Sequence, residues 1–285
     1  METLRKKHHE ILALYTLEKS IKDIYVEGNT DRVFIENYLK NKKCNRKVIP
    51  IEVIDFSELP LEVMEGLDIN SNRNKLVVMS KLFNEKLTSS NVRCIIDKDF
   101  DDYVESINNS KLLKTDFSCL ESYLFCEDVI DKFLQLGICN FPFNASFILN
   151  QLETVLKPLF CLRLLRELYF SSAKLVDIDG NLAIDKSQGT INFDINIYLQ
   201  KFISKNNLTK DTQTILDSYN ALFQKLNIEI RNNLNGHDFL DIFFLYVNKI
   251  KNTPKFKVEN FPKALFLTVE TPMIENYPLF INILA

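Results

Sequence analysis

Short apolar runs rich in β-branched residues recur through the first 126 residues, separated by longer segments with helical spacing. The runs lie within Ile21 to Val26, Val48 to Ile54 and Val92 to Ile96. Runs of this length and composition read as buried strands. Between them the period changes. Residues 1–20 carry Ile11, Leu12, Leu14, Tyr15 and Leu17 on an amphipathic helix. A second helix, about Asp31 to Lys40, turns Val33, Phe34, Tyr38 and Leu39 inward. Gly28 permits a tight turn before it, and Asn29 or Thr30 is placed to cap it. A polar loop around Asn70 to Asn74 leads into a third helix that reaches Leu87. Strand, helix, strand, helix, strand implies parallel pairing with right-handed crossovers. Lys114 to Ser118 reads as a fourth short extended piece, and Glu121 opens a helical region.

From about Asp128 the pattern is mainly helical, over Val129 to Leu136, Phe147 to Lys157 and Leu159 to Phe170. An interruption follows. Asp179-Gly180-Asn181 there predicts a hairpin turn between Lys174-Leu175-Val176 and Leu182-Ala183-Ile184. Helices resume near Ile195, Asp211 and Asp238. The expected organisation is an α/β domain with a mostly parallel sheet over residues 1–126 and a mainly helical region over residues 127–285.

Composition narrows the class. A hydrophobic share of 46% supports a sizeable core and argues against disorder. Only 6 Gly and 8 Pro favour long helices over a loop-rich all-β chain. The net charge of -3 does not advertise nucleic-acid binding, which draws on Lys and Arg to neutralise phosphates. Any such contact needs its positive charge concentrated locally. The basic run Arg5-Lys6-Lys7-His8-His9 reads first as a solvated helix end. No pair among the six cysteines has Cys-x-x-Cys spacing, which argues against a zinc site. Cys94, inside a strand, reads as a small buried hydrophobe. Without a signal-peptide pattern, reduced thiols and a cytoplasmic location are the expectation. The longest apolar stretches, such as Phe239 to Val247, are too short to cross a bilayer and are broken by Asp241.

Chemistry-bearing residues gather where two of the strands end. Ile24-Tyr25-Val26 runs into Glu27, with Asp31 one helical turn on. Val92 to Ile96 runs into Asp97, Asp99, Asp101 and Asp102. Asp31 by itself is explained by the helix dipole. Glu27 closes a buried strand, where an unpaired carboxylate is costly. Spacing by two would place Asp97, Asp99 and Asp101 on one side of extended backbone and Lys98 on the other. A calcium loop is rejected, because its Gly and terminal Glu are absent. Ligands bind outside the carboxyl ends of parallel strands. Carboxylates brought together there call for a hard cation such as Mg²⁺ or Mn²⁺, and so for phosphate chemistry.

Val26-Glu27-Gly28 with Asp31, and Ile96-Asp97-Lys98-Asp99-Phe100-Asp101 about 70 residues on, resemble the toprim domain of topoisomerases, bacterial primases and OLD-family nucleases. The resemblance covers roughly residues 20 to 126. More narrowly, the chain resembles the toprim-like effector that accompanies an ABC-type ATPase in PARIS-type phage-defence systems. Thr115-Asp116-Phe117 leading to Leu120-Glu121-Ser122-Tyr123-Leu124, the Arg163 region and Asn235-Gly236-His237-Asp238 carry that narrower likeness. It implies a metal-dependent nuclease acting on RNA, with tRNA the suspected target, held silent by the ATPase and dimeric when released. It implies Glu27 as metal ligand or general base, Asp31, Asp97 and Asp99 as ligands of Mg²⁺ or Mn²⁺, and Glu121 as a ligand completing a second position. Lys98 and Lys114 are the candidate basic residues for the transition state. A DNA nuclease of OLD type and a non-catalytic adaptor are the rival readings. Asp238 is expected to cap the helix over Phe239 to Val247, with Gly236 shaping the turn and His237 structural, the alternative being His237 as general acid or phosphate contact. Arg163 and Arg166, three apart on one helical face, are expected to pair with acids, with phosphate contact the open alternative.

Overall fold

The computed structural model describes residues 6–59, 61–64, 67–87, 90–104, 107–251 and 260–285. They form two compact units. One comprises the chain up to Asp116 together with Glu270–Ala285, the other Phe117–Val269. The division expected near residue 126 therefore lies ten residues earlier, and the C-terminal segment belongs with the first unit.

The first unit is α/β. Its elements are β1 (Lys6–Lys7), α1 (His8–Leu17), β2 (Ile24–Val26), α2 (Asn29–Asn41), β3 (Val48–Pro50), β4 (Ile54–Asp55), α3 (Leu61–Met64), α4 (Asn72–Lys86), β5 (Arg93–Ile96) and β6 (Leu112–Lys114). The main sheet has the order β3-β2-β5-β6, and every pairing is parallel. Strand side chains alternate between faces. Tyr25, Cys94, Ile96 and Leu112 share one core with α1 and α4, through Ile11, Tyr15, Leu76 and Phe83. On α2 the buried residues are Phe34, Ile35, Tyr38 and Leu39. Val33, expected inward, is exposed. Phe34 and Tyr38 meet Phe280 of the C-terminal helix Pro278–Asn282, with ring centroids 6.1 and 4.8 Å apart. Burying these rings is what returns the C-terminal segment to the first unit, a contact no local pattern encodes.

Three expected elements differ in form. Val48 to Ile54 is not one strand: a 3₁₀ turn at Ile51–Val53 separates β3 from β4, and β4 pairs in parallel with β1. Lys6 and Lys7 are thus strand rather than helix; Met1 to Arg5 lie outside the described residues. The fourth extended piece is Leu112–Lys114, earlier than expected.

In the second unit a 3₁₀ turn at Leu120–Leu124 precedes a helix at Glu127–Phe133, which runs into a π turn at Leu134–Ile138. One helix, Ala145–Tyr169, passes through Pro158 where two were expected. Proline costs that helix a backbone bond. Burial of Val155, Leu156, Leu159 and Phe160 around it keeps the segment helical. Asp179–Asn181 is a 3₁₀ turn, not the tip of a hairpin. Ala183–Ile184 instead pairs antiparallel with Ile191–Asn192. Asp185 makes that turn, its Oδ1 accepting from the N–H of Ser187 and of Gln188. Gly189 closes it at φ +69°, and an added Cβ would lie 2.5 Å from the Phe143 ring. Gly189→Ala combines a left-handed backbone with overpacking. It is expected to cost about 2–4 kcal/mol, measured by urea unfolding. Among the described residues, no helix is long and apolar enough to cross a membrane.

Candidate acidic site at the strand ends

The order of the sheet decides where the acidic clusters meet. From β2 the chain crosses to β3 on one side, and it later returns to β5 on the other. The reversal between β2 and β5 is a topological switch point, where open parallel sheets bind ligands beyond the carboxyl ends of their strands. Glu27 directly follows β2, and Asp97 directly follows β5. Glu27 Oε1 accepts the N–H of Asp97 at 3.3 Å. Two clusters 70 residues apart thereby share one crevice.

The start of α4 reaches the same place. Asn72 Nδ2 donates to the Glu27 carbonyl at 3.0 Å and to Glu52 Oε1 at 3.1 Å. Arg73 donates to the Asp97 carbonyl. Its guanidinium also lies 3.1 Å from Asp99 Oδ2 and 2.8 Å from Asp101 Oδ1. Lys114, the last residue of β6, places Nζ 2.6 Å from Asp101 Oδ2. Lys98 Nζ is 2.6 Å from Asp102 Oδ2.

Charge is unevenly satisfied in this crevice. Burial, first of all, pushes the Glu27 carboxyl up to about 7 from its ordinary 4.5. The Asp99 carboxylate adds to the rise, and Asp31 adds a smaller share. The Asp97 N–H and the Arg73 guanidinium oppose it. Loss of water from a carboxylate and nearby like charge act in the same direction here.

Each expected ligand can now be placed. In the first unit Glu27 meets Asp97 through the Asp97 N–H and is reached by the charge of Asp99. Asp31 Oδ2 accepts the Gly28 N–H at 2.9 Å, closing the first turn of α2. That is the helix-end role expected of it in isolation. Gly28 itself is the cap, in extended backbone, so neither Asn29 nor Thr30 serves. The extended continuation past Ile96 is overturned: Asp99 has φ +49°, and the Asp101 N–H bonds the Lys98 carbonyl at 3.0 Å. Asp97, Asp99 and Asp101 therefore ride a turn, and strand alternation no longer places Lys98. The Lys98 N–H is held by Thr115 Oγ1 at 2.9 Å. Glu121 belongs to the second unit, where its carboxylate lies against Gly236; a Cβ added there would come 2.2 Å from Oε2. Close approach, rather than turn shape, is what asks for glycine at 236.

Asp238 is not a cap. The helix starts at Gly236, and Asn235 Oδ1 accepts the Asp238 N–H at 3.3 Å. The Asp238 carboxylate instead takes a two-pronged bond from Arg163, Nε to Oδ2 at 2.6 Å and a terminal nitrogen to Oδ1 at 2.5 Å. His237 is exposed.

A hard divalent cation fits this crevice in donor chemistry, since Glu27 and Asp99 offer only oxygens and the charge of Asp99 reaches Glu27. The full carboxylate cage does not assemble. Among the described residues no three His, Cys, Asp or Glu side chains stand together as a metal-holding group. Asp99 and Asp101 are drawn onto Arg73 and Asp31 onto its own helix end. Arg73 and Asn72 escaped the sequence reading. The available signal was their place in the first turn of a helix that follows a strand, because such helices begin beside the strand ends where ligands sit. Comparison with models of known protein families finds no match, and comparison with curated proteins finds none.

Proposed function

We propose that this chain is a Mg²⁺- or Mn²⁺-dependent phosphodiester hydrolase with its centre at the ends of β2 and β5, and an RNA-cleaving effector of bacterial anti-phage defence. One observation carries the hydrolase reading: Glu27 and Asp97 end adjacent parallel strands at the switch point, in direct hydrogen-bond contact. The toprim resemblance supplies the biological setting, with tRNA as favoured substrate, an ABC-type ATPase as silencing partner, and a homodimer as the released form.

Glu27, Asp97 and Asp99 would hold the ion, with Asp31 as the further ligand the resemblance adds within the first unit. The ion, when bound, supplies charge neutralisation at the phosphate and a more acidic water. Glu27 suits proton transfer, because its carboxyl changes charge near neutral pH. Arg73 is the cation best placed to face a phosphate, once Asp99 is shared with a metal. Lys114 and Lys98 add positive charge on the same side, countering the acidity of the chain as a whole.

The adaptor reading has one observation in its favour. Arg73 and Lys114 pair with Asp99 and Asp101, occupying carboxylate oxygens that a metal would use. The separating experiment offers tRNA, mRNA, plasmid and single-stranded DNA to the purified chain, free of partners, with Mg²⁺ or Mn²⁺. Cleavage of tRNA alone is expected. Cutting only DNA removes the RNA assignment and favours an OLD-like role. No cleavage of any substrate, with a melting temperature indifferent to either ion, removes the hydrolase altogether.

A further inference from the structure

A second charged cluster lies at the opposite ends of the same strands. Arg46 stands two residues before β3, Arg93 opens β5, and Lys111 directly precedes β6. Backbone bonds align these amino ends. Ile24 N–H bonds the Lys47 carbonyl at 2.8 Å, Arg93 N–H the Asp23 carbonyl at 3.1 Å, and Cys94 N–H the Lys111 carbonyl at 2.7 Å. Three cations thus begin three of the four strands of one sheet.

None of the three has a carboxylate partner among the described residues. Arg46 is only 7% exposed, and its three guanidinium nitrogens are buried without any hydrogen-bond partner. Lys111, 4% exposed, donates to the Ser90 carbonyl. Arg93 donates to the carbonyl of its neighbour Val92 at 3.0 Å. Asp23, whose carbonyl accepts the Arg93 N–H, has its carboxylate engaged by the Tyr15 hydroxyl, which donates to it at 2.8 Å. Burial, and then the charge of Arg46, lowers the Arg93 pKa; burial, and then Arg93, lowers that of Lys111. Arg93 therefore feels Arg46 on one side, and Lys111 feels Arg93 on the other, as like charges.

A buried guanidinium with five donors and no acceptor is a costly arrangement unless a counter-charge completes it. The fork geometry of arginine matches tetrahedral oxyanions, whose several oxygens accept from more than one donor at once. Three positive charges call for more than one negative charge. We propose that Arg46, Arg93 and Lys111 form an anion site at the amino ends of β3, β5 and β6 that takes a phosphate group, either free or carried as a small phosphomonoester. Arg93, the least covered of the three, gives the anion its approach. The site is independent of the acidic crevice, which lies beyond the other ends of the strands.

The test is thermal unfolding of the full chain in EDTA, which prevents divalent ions from tethering phosphate to Glu27 and its neighbours. Inorganic phosphate and AMP are titrated separately against sodium chloride at matched ionic strength. A saturable rise in melting temperature beyond that in chloride is expected, as for any ligand that binds only the folded state. A response to AMP alone, or to phosphate alone, identifies the carrier. Arg46→Met and Arg93→Gln should each raise the half-saturating concentration at least tenfold, and Glu27→Gln should leave it unchanged. Without phosphate, Arg46→Met should melt no lower than the wild type, because an unpartnered buried charge has been removed. Equal melting of the wild type in phosphate, AMP and chloride overturns the proposal. So does an undiminished response in the arginine variants, and Arg93→Gln alone decides if Arg46→Met does not fold.

Discussion

Glu27→Gln is expected to lose metal-dependent cleavage by at least about a hundredfold, the range in which a positioned acid–base group contributes, while gaining stability above neutral pH. Both effects come from one cause. The folded state holds the Glu27 carboxyl at about 7, above its ordinary 4.5, because the crevice withdraws water and sets Asp99 nearby. A carboxyl raised in the folded state binds its proton more tightly there than in the unfolded chain. Its contribution to stability is therefore full below about pH 4.5, declines as pH rises toward 7, and leaves a penalty on the order of 3 kcal/mol above that. Glutamine keeps the size and the neutral form at every pH. Urea unfolding should show the variant and the wild type nearly equal at pH 4. At pH 8 the variant should be more stable by about 1–3 kcal/mol. Saturating Mg²⁺ or Mn²⁺ should narrow that gap by stabilising only the wild type. A variant that still cleaves removes Glu27 from the mechanism. One that is less stable at pH 8 shows that the carboxylate is satisfied in the fold.

Asp238→Ala is expected to be among the most destabilising single changes in the second unit, at about 3 kcal/mol in urea unfolding. The reason lies in what remains behind. Arg163, on the long helix Ala145–Tyr169, commits its fork to Asp238 and is largely covered there. Removing the carboxylate leaves a covered guanidinium with no partner for that fork. The double change Arg163→Met with Asp238→Leu replaces both charges by apolar groups and should recover most of the loss. A double variant no better than Asp238→Ala would show that side-chain volume, not charge pairing, sets the stability at this point.

The acidic crevice was legible in outline because its signals are local. Apolar runs of strand length ending in Glu27 and in Asp97 mark the carboxyl ends of buried strands, whatever surrounds them. The dual reading of Asp31 was local too, since a helix start announces its own needs. Other parts were not legible. Asp99 sits at positive φ because Thr115 and the Lys98 carbonyl fold the chain back after Ile96, and spacing by two has no meaning on a turn. Ala183–Ile184 pairs onward with Ile191–Asn192, because Asp185 and Gly189 make a better turn than Asp179-Gly180-Asn181. Asp238, a plausible cap by position, was claimed by an arginine 75 residues away.

Apolar runs of strand length, with helical spacing between them, were enough to point to a parallel α/β sheet and to acidic groups at the tips of its strands. Tertiary structure alone decided that β2 lies beside β5, that Arg73 enters between the acids, and that Arg46 is buried with no acid paired to it among the described residues. It also decided that the last sixteen residues join the first unit. Those outcomes depend on which surfaces meet across long stretches of chain, where the free energy comes from shared burial and charge that no short segment carries by itself.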